Sequence, residues 1–245
     1  MRFCPTIPIL AAILASPVVA WSQAEKTQVE QKEHGRPALV STADLAEYEQ
    51  LSEERQKLIR IAIEVAKNSP WLPYKYGGST PEDGGFDCSG AMFFVMGKFG
   101  LEPPRTSAAQ FLWLQKHERL HTVPESATEL SDPSLKELKP GDLLFWSGTY
   151  EPTDGRAVNI THVAMYLGTE KTDGRAIMIN ATDGRSYRGK QANGYGVYDF
   201  RLPRKTSRSK FVGYGTPPGI SASKAEAEKT QDPEAGSAPS SEDQK

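Results

Sequence analysis

The sequence predicts an α+β domain, with helices first and an antiparallel sheet after them. Two observations predict it. Apolar residues recur at helical spacing only in the first half of the chain, and short runs rich in Val, Ile, Tyr and Phe, separated by turn residues, fill the second half from Leu143 onward. Helices followed by strands, rather than alternating with them, argue for segregated elements and against a parallel sheet.

Before that domain, Pro5 to Val19 is a mostly apolar run behind a single basic residue, Arg2, and it ends in small residues. This is the layout of a secretory signal peptide over residues 1–24, with Val18-x-Ala20 or Ser22-x-Ala24 as the cleavage signal. The run is short for a membrane span, which needs roughly 20 apolar residues, and no later segment suggests insertion. Cys4 precedes the run, so it does not read as a lipid attachment site. The location expected is secreted or periplasmic.

Residues 25–55 read as a flexible, polar lead-in. Ser41-x-x-Asp44 resembles a capping box that opens a helix over part of 42–55. The domain itself is expected over 56–217. Leu58, Ile61, Ala62, Val65 and Ala66 fall on one helical face, and Asn68-Ser69-Pro70 ends the pattern. A Gly-rich loop, Tyr76-Gly77-Gly78 to Gly84-Gly85, leads into Phe86-Asp87-Cys88-Ser89-Gly90 and then an apolar run, Ala91 to Met96, that reads as a short, largely buried helix. Ser107-x-x-Gln110 marks the start of a helix holding Phe111, Leu112 and Leu114. Residues 119–136 are expected as loop or irregular crossing. Strands follow at Leu143–Trp146, His162–Leu167, Ala176–Ala181, Val197–Phe200 and Phe211–Tyr214. From Pro218 to Lys245 Ser, Ala, Glu, Lys and Pro dominate, which predicts a disordered tail.

The net charge of −2 gives no global attraction to nucleic acid. Removal of the leader would leave Cys88 as the only cysteine, so an internal disulfide is excluded and the thiol is expected to be reactive. Cys88 stands where a loop becomes a helix, where free N–H groups and the helix dipole favour an anion. Gly90 is read as room for substrate backbone, and the Cys88 N–H as an oxyanion donor. The base is chosen among four histidines. His34 falls in the lead-in, and His117 and His121 in a charged surface stretch with no third residue at metal-ligand spacing. His162 opens an apolar strand. Cysteine with Ser-Gly after it is a weak signal by itself, and a histidine at a strand edge often serves packing alone.

Taken together the segments are more specific. Tyr74-Lys75-Tyr76-Gly77-Gly78, Gly85-Phe86-Asp87-Cys88-Ser89-Gly90, Pro104-Arg105-Thr106-Ser107-x-x-Gln110, Pro140-Gly141-Asp142-Leu143-x-Phe145-Trp146 and His162-Val163-Ala164-Met165-Tyr166-Leu167-Gly168 resemble, in this order, the NlpC/P60 family of cell-wall cysteine peptidases over about 58–216. The resemblance implies a papain-like core, with the nucleophile helix packed on a small antiparallel sheet. It implies Cys88 as nucleophile, His162 as base and Asn180 as the group that orients it. Asp183 is the substitute for Asn180. Tyr76, Asp87 and Ser89 are carried over as the substrate-side residues. For each a plainer account exists: a core aromatic, a helix cap and a capping hydroxyl. Arg105 is read as a loop anchor.

The resemblance further implies hydrolysis of peptidoglycan stem peptides, at the bond from D-glutamate to meso-diaminopimelate, with no metal or organic cofactor. Nothing in the sequence demands a dimer, so a monomer is expected. Two departures from the pattern, Ser147–Ile160 and Thr169–Arg175, are long enough to reshape the cleft. The rival readings keep the fold: an amidase at the sugar junction, an exported antibacterial effector, an acyl-transfer enzyme, or a wall-binding module without turnover.

Overall fold

The computed structural model describes residues 35–221. The expected leader, Cys4 and His34 lie outside the described residues, as does the tail beyond Ser221. Three α-helices are present among the described residues: α1 (Glu53–Asn68), α2 (Cys88–Phe99) and α3 (Ser107–Lys116). Six strands follow: β1 (Leu120–Thr122), β2 (Leu143–Ser147), β3 (His162–Thr169), β4 (Ala176–Tyr187), β5 (Lys190–Asp199) and β6 (Lys210–Gly215). They form one antiparallel sheet in the order β1-β6-β2-β3-β4-β5, so the α+β class expected from the sequence is the class observed.

Period-two alternation divides the strands between two faces. Leu143, Phe145, Val163, Met165, Ile177, Ile179 and Val197 meet the helices, with Leu58, Ile59, Ala91, Met92 and Val95 opposite them. Leu144, Trp146, Ala164, Tyr166, Met178, Tyr198, Phe200 and Phe211 build a second core on the other face. A sheet covered on both sides explains why these strands read as nearly continuous apolar runs.

Of the sheet's bulges, two set which side chains of β3 and β4 share a face. Thr169 pairs with Ala176 and Gly168 with Ile177, yet Tyr166 pairs with Met178 and Met165 with Ile179, so Leu167 is the extra residue. In the next hairpin Thr182 pairs with Gly194 but Arg185 with Ala192, so Asp183-Gly184 inserts one residue into β4. Each bulge turns the side chains beyond it to the opposite face.

Several boundaries differ from the expectation. β1 lies in the stretch expected as loop; it pairs through backbone with Thr122 opposite Gly213, and its polar side chains carry no strand signal. β4 and β5 extend to a turn at Arg188-Gly189 instead of stopping near residues 181 and 197. The Ser41–Asp44 box is present, but it caps only the 3-10 turn Thr42–Asp44. α3 is capped by Thr106, whose Oγ1 accepts from Ala109 N at 3.2 Å, one residue before the expected cap. The described part of the lead-in is packed rather than loose: Gly35 bridges Ala192, Ala38 bridges Val197, and Val40, Leu45 and Tyr48 are buried. At the other end Ile220 is buried, and Arg119 and Arg55 donate to the carbonyls of Ile220 and Ser221, so the order continues past Pro218.

Arg55 falls at the end of the expected lead-in, yet it lies within α1. It is a buried hub, with Nη1 at 3.0 Å from Asp142 Oδ1 and 2.7 Å from the Pro140 carbonyl, and Nη2 at 2.6 Å from Thr216 Oγ1. It locks the Pro140-Gly141 turn that feeds β2. Arg55→Met leaves the Asp142 carboxylate buried without its cation, which costs about 3–5 kcal/mol. Denaturant unfolding is expected to show that loss. A change under about 1 kcal/mol, the size of an exposed pair, would contradict it.

Candidate active site

The glycine pattern before Cys88 is a packing requirement. Asp87 N–H donates to the Gly78 carbonyl at 2.9 Å, which draws the loop onto the start of α2. A Cβ on Gly90 would strike that same carbonyl, and a Cβ on Gly78 would strike the Gly85 carbonyl. Gly90 therefore makes room for the protein's own loop, not for substrate as the sequence reading had it.

Asp87 caps α2, its Oδ1 accepting from Gly90 N at 2.6 Å, Ser89 Oγ at 3.1 Å and Arg105 Nη1 at 3.0 Å. Its Oδ2 accepts from Arg105 Nη2 at 2.7 Å and Gly77 N at 3.0 Å. Five donors fill the lone pairs of one carboxylate. Arg105 also holds the Gly77 and Gly78 carbonyls and Ser89 Oγ. Asp87 and Ser89 line the cleft, but their polar atoms are spent on the loop, while Arg105 is the anchor expected.

Cys88 is buried at the first position of α2. The backbone N–H groups of Val163, Ser89 and Cys88 reach its sulfur and pull its pKa down. Burial and then the Asp87 charge outweigh them, and the thiol is pushed up to about 11. The expected lowering does not outweigh the rest: the helix-end donors are present, but burial and the neighbouring Asp87 carboxylate raise the thiol more than they lower it.

His162 begins β3, in register with Trp146 of β2, whose ring lies 5.5 Å from the imidazole. Burial, and secondarily the Arg185 charge, hold the imidazole well below its ordinary pKa. Both shifts favour the neutral thiol and the neutral imidazole. Asn180, fully buried on β4, presents Nδ2 to His162 Nε2 at 2.7 Å, and its Oδ1 is buried without a partner. Asp183 is exposed on the cleft rim and makes no such contact. With Nε2 taken by Asn180, Nδ1 is the nitrogen left for the thiol.

The cleft has two halves. One, of about 300 Å³, is lined by Cys88, Ser89, Arg105, Thr106, Ser107 and Arg156; the other, of about 620 Å³, by Thr161, His162, Thr182, Asp183, Arg185 and Arg208. Tyr74, Tyr76 and Tyr150 line both. Tyr76 is 76 % exposed, so it is no core aromatic. Tyr74 is half-buried, and burial and then the Cys88 charge raise its phenol pKa. Sequence reading passed it over because Tyr74 and Tyr76 stand two apart in an extended segment; only the bridge from Tyr74 to Phe86 and the bond from Tyr74 N to Asn193 Oδ1 turn it inward.

Of the two long segments, Ser147–Ile160 does shape the cleft. Arg156 gathers it, donating to Asp154, Tyr150 Oη at 2.8 Å and the Ile160 carbonyl at 2.6 Å, and so sets Tyr150 across the junction. The Thr169–Arg175 turn lines neither half; it carries ion pairs of Arg175 and Arg188 with Glu170 and Asp173. His121 stacks on Tyr214 at 5.0 Å and His117 meets Trp113 edge-on, so ring packing accounts for both.

The chain is similar in sequence to several known proteins. The chain is 40% identical over 111 residues to the bifunctional muramidase/DL-endopeptidase CwlT of Bacillus subtilis, a match spanning 45% of this chain and 25% of that protein. It is 33% identical over 126 residues to the probable endopeptidase p60 of Listeria monocytogenes (51% and 19%) and 32% identical over 117 residues to the murein DD-endopeptidase MepH of Escherichia coli (47% and 35%). The matches thus span 19–35% of these relatives' lengths. Among solved structures the peptidoglycan hydrolase RipB of Mycobacterium tuberculosis aligns with a TM-score of 0.40 at 20% identity, covering 85% of this chain and 92% of that one. The family model for NlpC/P60 matches residues 71–206, a span that runs from the Tyr74 loop through Cys88, His162 and Asn180 and takes in more than half of the sequence, so the chain belongs to the NlpC/P60 family.

Proposed function

We propose that this chain is a cysteine endopeptidase that hydrolyses stem peptides of peptidoglycan, at the bond from D-glutamate to meso-diaminopimelate, and that it acts outside the cytoplasm. The observation that carries the reading is the juxtaposition at one cleft of a helix-end thiol with a buried imidazole whose far nitrogen meets an amide. The names of the relatives, among them a DL-endopeptidase and a gamma-DL-glutamyl hydrolase, support the substrate class.

In this reading His162 Nδ1 takes the Cys88 proton as sulfur attacks the scissile carbonyl. A neutral thiol and a neutral imidazole favour transfer together with attack over a standing ion pair. The oxyanion forms beside the Cys88 N–H at the start of α2, where the helix end favours negative charge. The C–N bond then breaks, the imidazolium gives its proton to the leaving amine, and a thioester remains on Cys88. Water attacks that ester as His162 again accepts a proton, the C–S bond breaks and the thiol is restored.

Digestion of purified diaminopimelate-type peptidoglycan with the full chain, followed by mass spectrometry of the fragments, tests the bond. New amino termini on diaminopimelate are expected. Fragments cut between muramic acid and L-alanine, or between two D-centres of a cross-link, would reassign the bond; the DD-endopeptidase name of one relative makes the last a concrete alternative.

A further inference from the structure

We propose that Arg185 recognises a free carboxylate on the leaving-amine half of the substrate, an inference that rests on the hydrolytic reading above. The bulge at Asp183-Gly184 is what brings Arg185 there. Without it, strict alternation from Ala181, which packs in the helix-side core, would send Arg185 to that same face. With it, Arg185 pairs with Ala192, joins the face of Trp146 and Asn180, and lays its guanidinium over the Trp146 ring at 4.3 Å. Bulges beside active sites commonly re-aim one side chain in this way.

The guanidinium is held but not satisfied. Among the described residues it makes no ion pair and no side-chain hydrogen bond, and its contacts are the Trp146 ring and the charges of its neighbours. Its environment even lowers its pKa to about 10 through burial, so the charge is kept in place at a cost. Every other arginine that lines the cleft has a carboxylate: Arg105 has Asp87, Arg156 has Asp154 and Arg208 has Glu151. A planar fork fixed on an aromatic face, with its donors open to a cavity, suits bidentate recognition of a carboxylate.

Its place also fixes which half of the substrate it meets. The imidazole must protonate the departing amine, so the amine half lies in the His162 half of the cleft, the half Arg185 lines. The ligand group is therefore a carboxylate carried by the amine component. A diamino acid with a free side-arm carboxylate has that chemistry.

The test compares L-alanyl-γ-D-glutamyl-meso-diaminopimelyl-D-alanine with the same peptide bearing a carboxamide on the side arm. Wild type is expected to favour the carboxylate by about 10- to 100-fold in kcat/KM, the scale of a charge-assisted bond lost with its partner left unpaired. Arg185→Gln is expected to abolish the preference, and Arg185→Met, which keeps the apolar stem over Trp146, to do the same if the Gln protein folds poorly. Equal rates in wild type, or a preference that survives both substitutions, would overturn the assignment while leaving hydrolysis intact. A second arm measures binding of meso-diaminopimelyl-D-alanine and its side-arm carboxamide to the Cys88→Ala protein by calorimetry. Tighter carboxylate binding that vanishes in Cys88→Ala/Arg185→Gln supports Arg185 even if neither peptide is cut, an outcome that would sink the proposed function alone. Equal binding of the two ligands would sink the Arg185 assignment.

Discussion

Cys88→Ala is expected to lower hydrolysis of a stem peptide to below about one-thousandth of wild type, because no covalent acyl-enzyme can form without the sulfur. The protein is expected to stay folded, since alanine occupies the same small space at the start of α2 and the cap at Asp87 is untouched. Chromatography of the products reads the first point and a thermal melt the second. Residual turnover above that level would mean that the thiol is not the nucleophile. The resting state has its own signature. A thiol pushed up to about 11 carries little thiolate at neutral pH, so alkylation by iodoacetamide is expected to be slower at pH 7 than for free cysteine and to climb roughly tenfold per pH unit through pH 9. Fast alkylation at pH 7 would show a thiolate–imidazolium pair in which His162 supplies the missing counter-charge.

Much of this site was legible in the sequence because it rests on local chemistry. Asp87-Cys88-Ser89-Gly90 announces a capped helix end, and the apolar run from His162 announces a strand with one polar residue at its start. What was not legible depends on contacts across the sheet. The role of Gly90 is set by a carbonyl twelve residues earlier, and the inward turn of Tyr74 by Asn193. Arg55 looks like any helical arginine until the Pro140 turn and Thr216 fold around it. β1 escaped notice because it is three residues long, with side chains that are mostly exposed and show no apolar alternation. Arg185 escaped it for a related reason: alternation places it on the wrong face, and the insertion that corrects this, Asp183-Gly184, reads in the sequence as an ordinary turn. Helix-end chemistry is written in consecutive residues; the face a strand residue occupies is written partly in its bulges.

Asn180→Ala is expected to slow turnover by about tenfold to a thousandfold with little change in KM, the known extreme for losing an orienting group being about 10⁴. The bulge at Leu167 makes Asn180 the partner. Had the register of Thr169 with Ala176 continued unbroken, His162 would lie opposite Asp183; with one residue extra in β3, His162 shares its face with Asn180. The amide must also choose its end. With Nδ2 on the imidazole, Nε2 is the acceptor, Nδ1 carries the proton and the base is blocked, while Oδ1 stays buried and unpaired. Rotating the amide by 180° puts Oδ1 on Nε2–H, frees the Nδ1 lone pair for the thiol and ends the unpaired state of a buried carbonyl, whose cost is about 1–3 kcal/mol. Asn180→Asp separates orientation from simple packing. Its carboxylate accepts the same Nε2–H, so part of the rate should return, but its charge favours imidazolium. The His162 pKa then rises, the neutral base is lost at a higher pH on acidification, and the acid limb of the kcat profile moves up. Near-normal kcat in Asn180→Ala, with a large loss in Asp183→Ala, would transfer the orienting role to the exposed carboxylate. An acid limb that stays in place in Asn180→Asp would mean that residue 180 does not touch the titrating ring during catalysis.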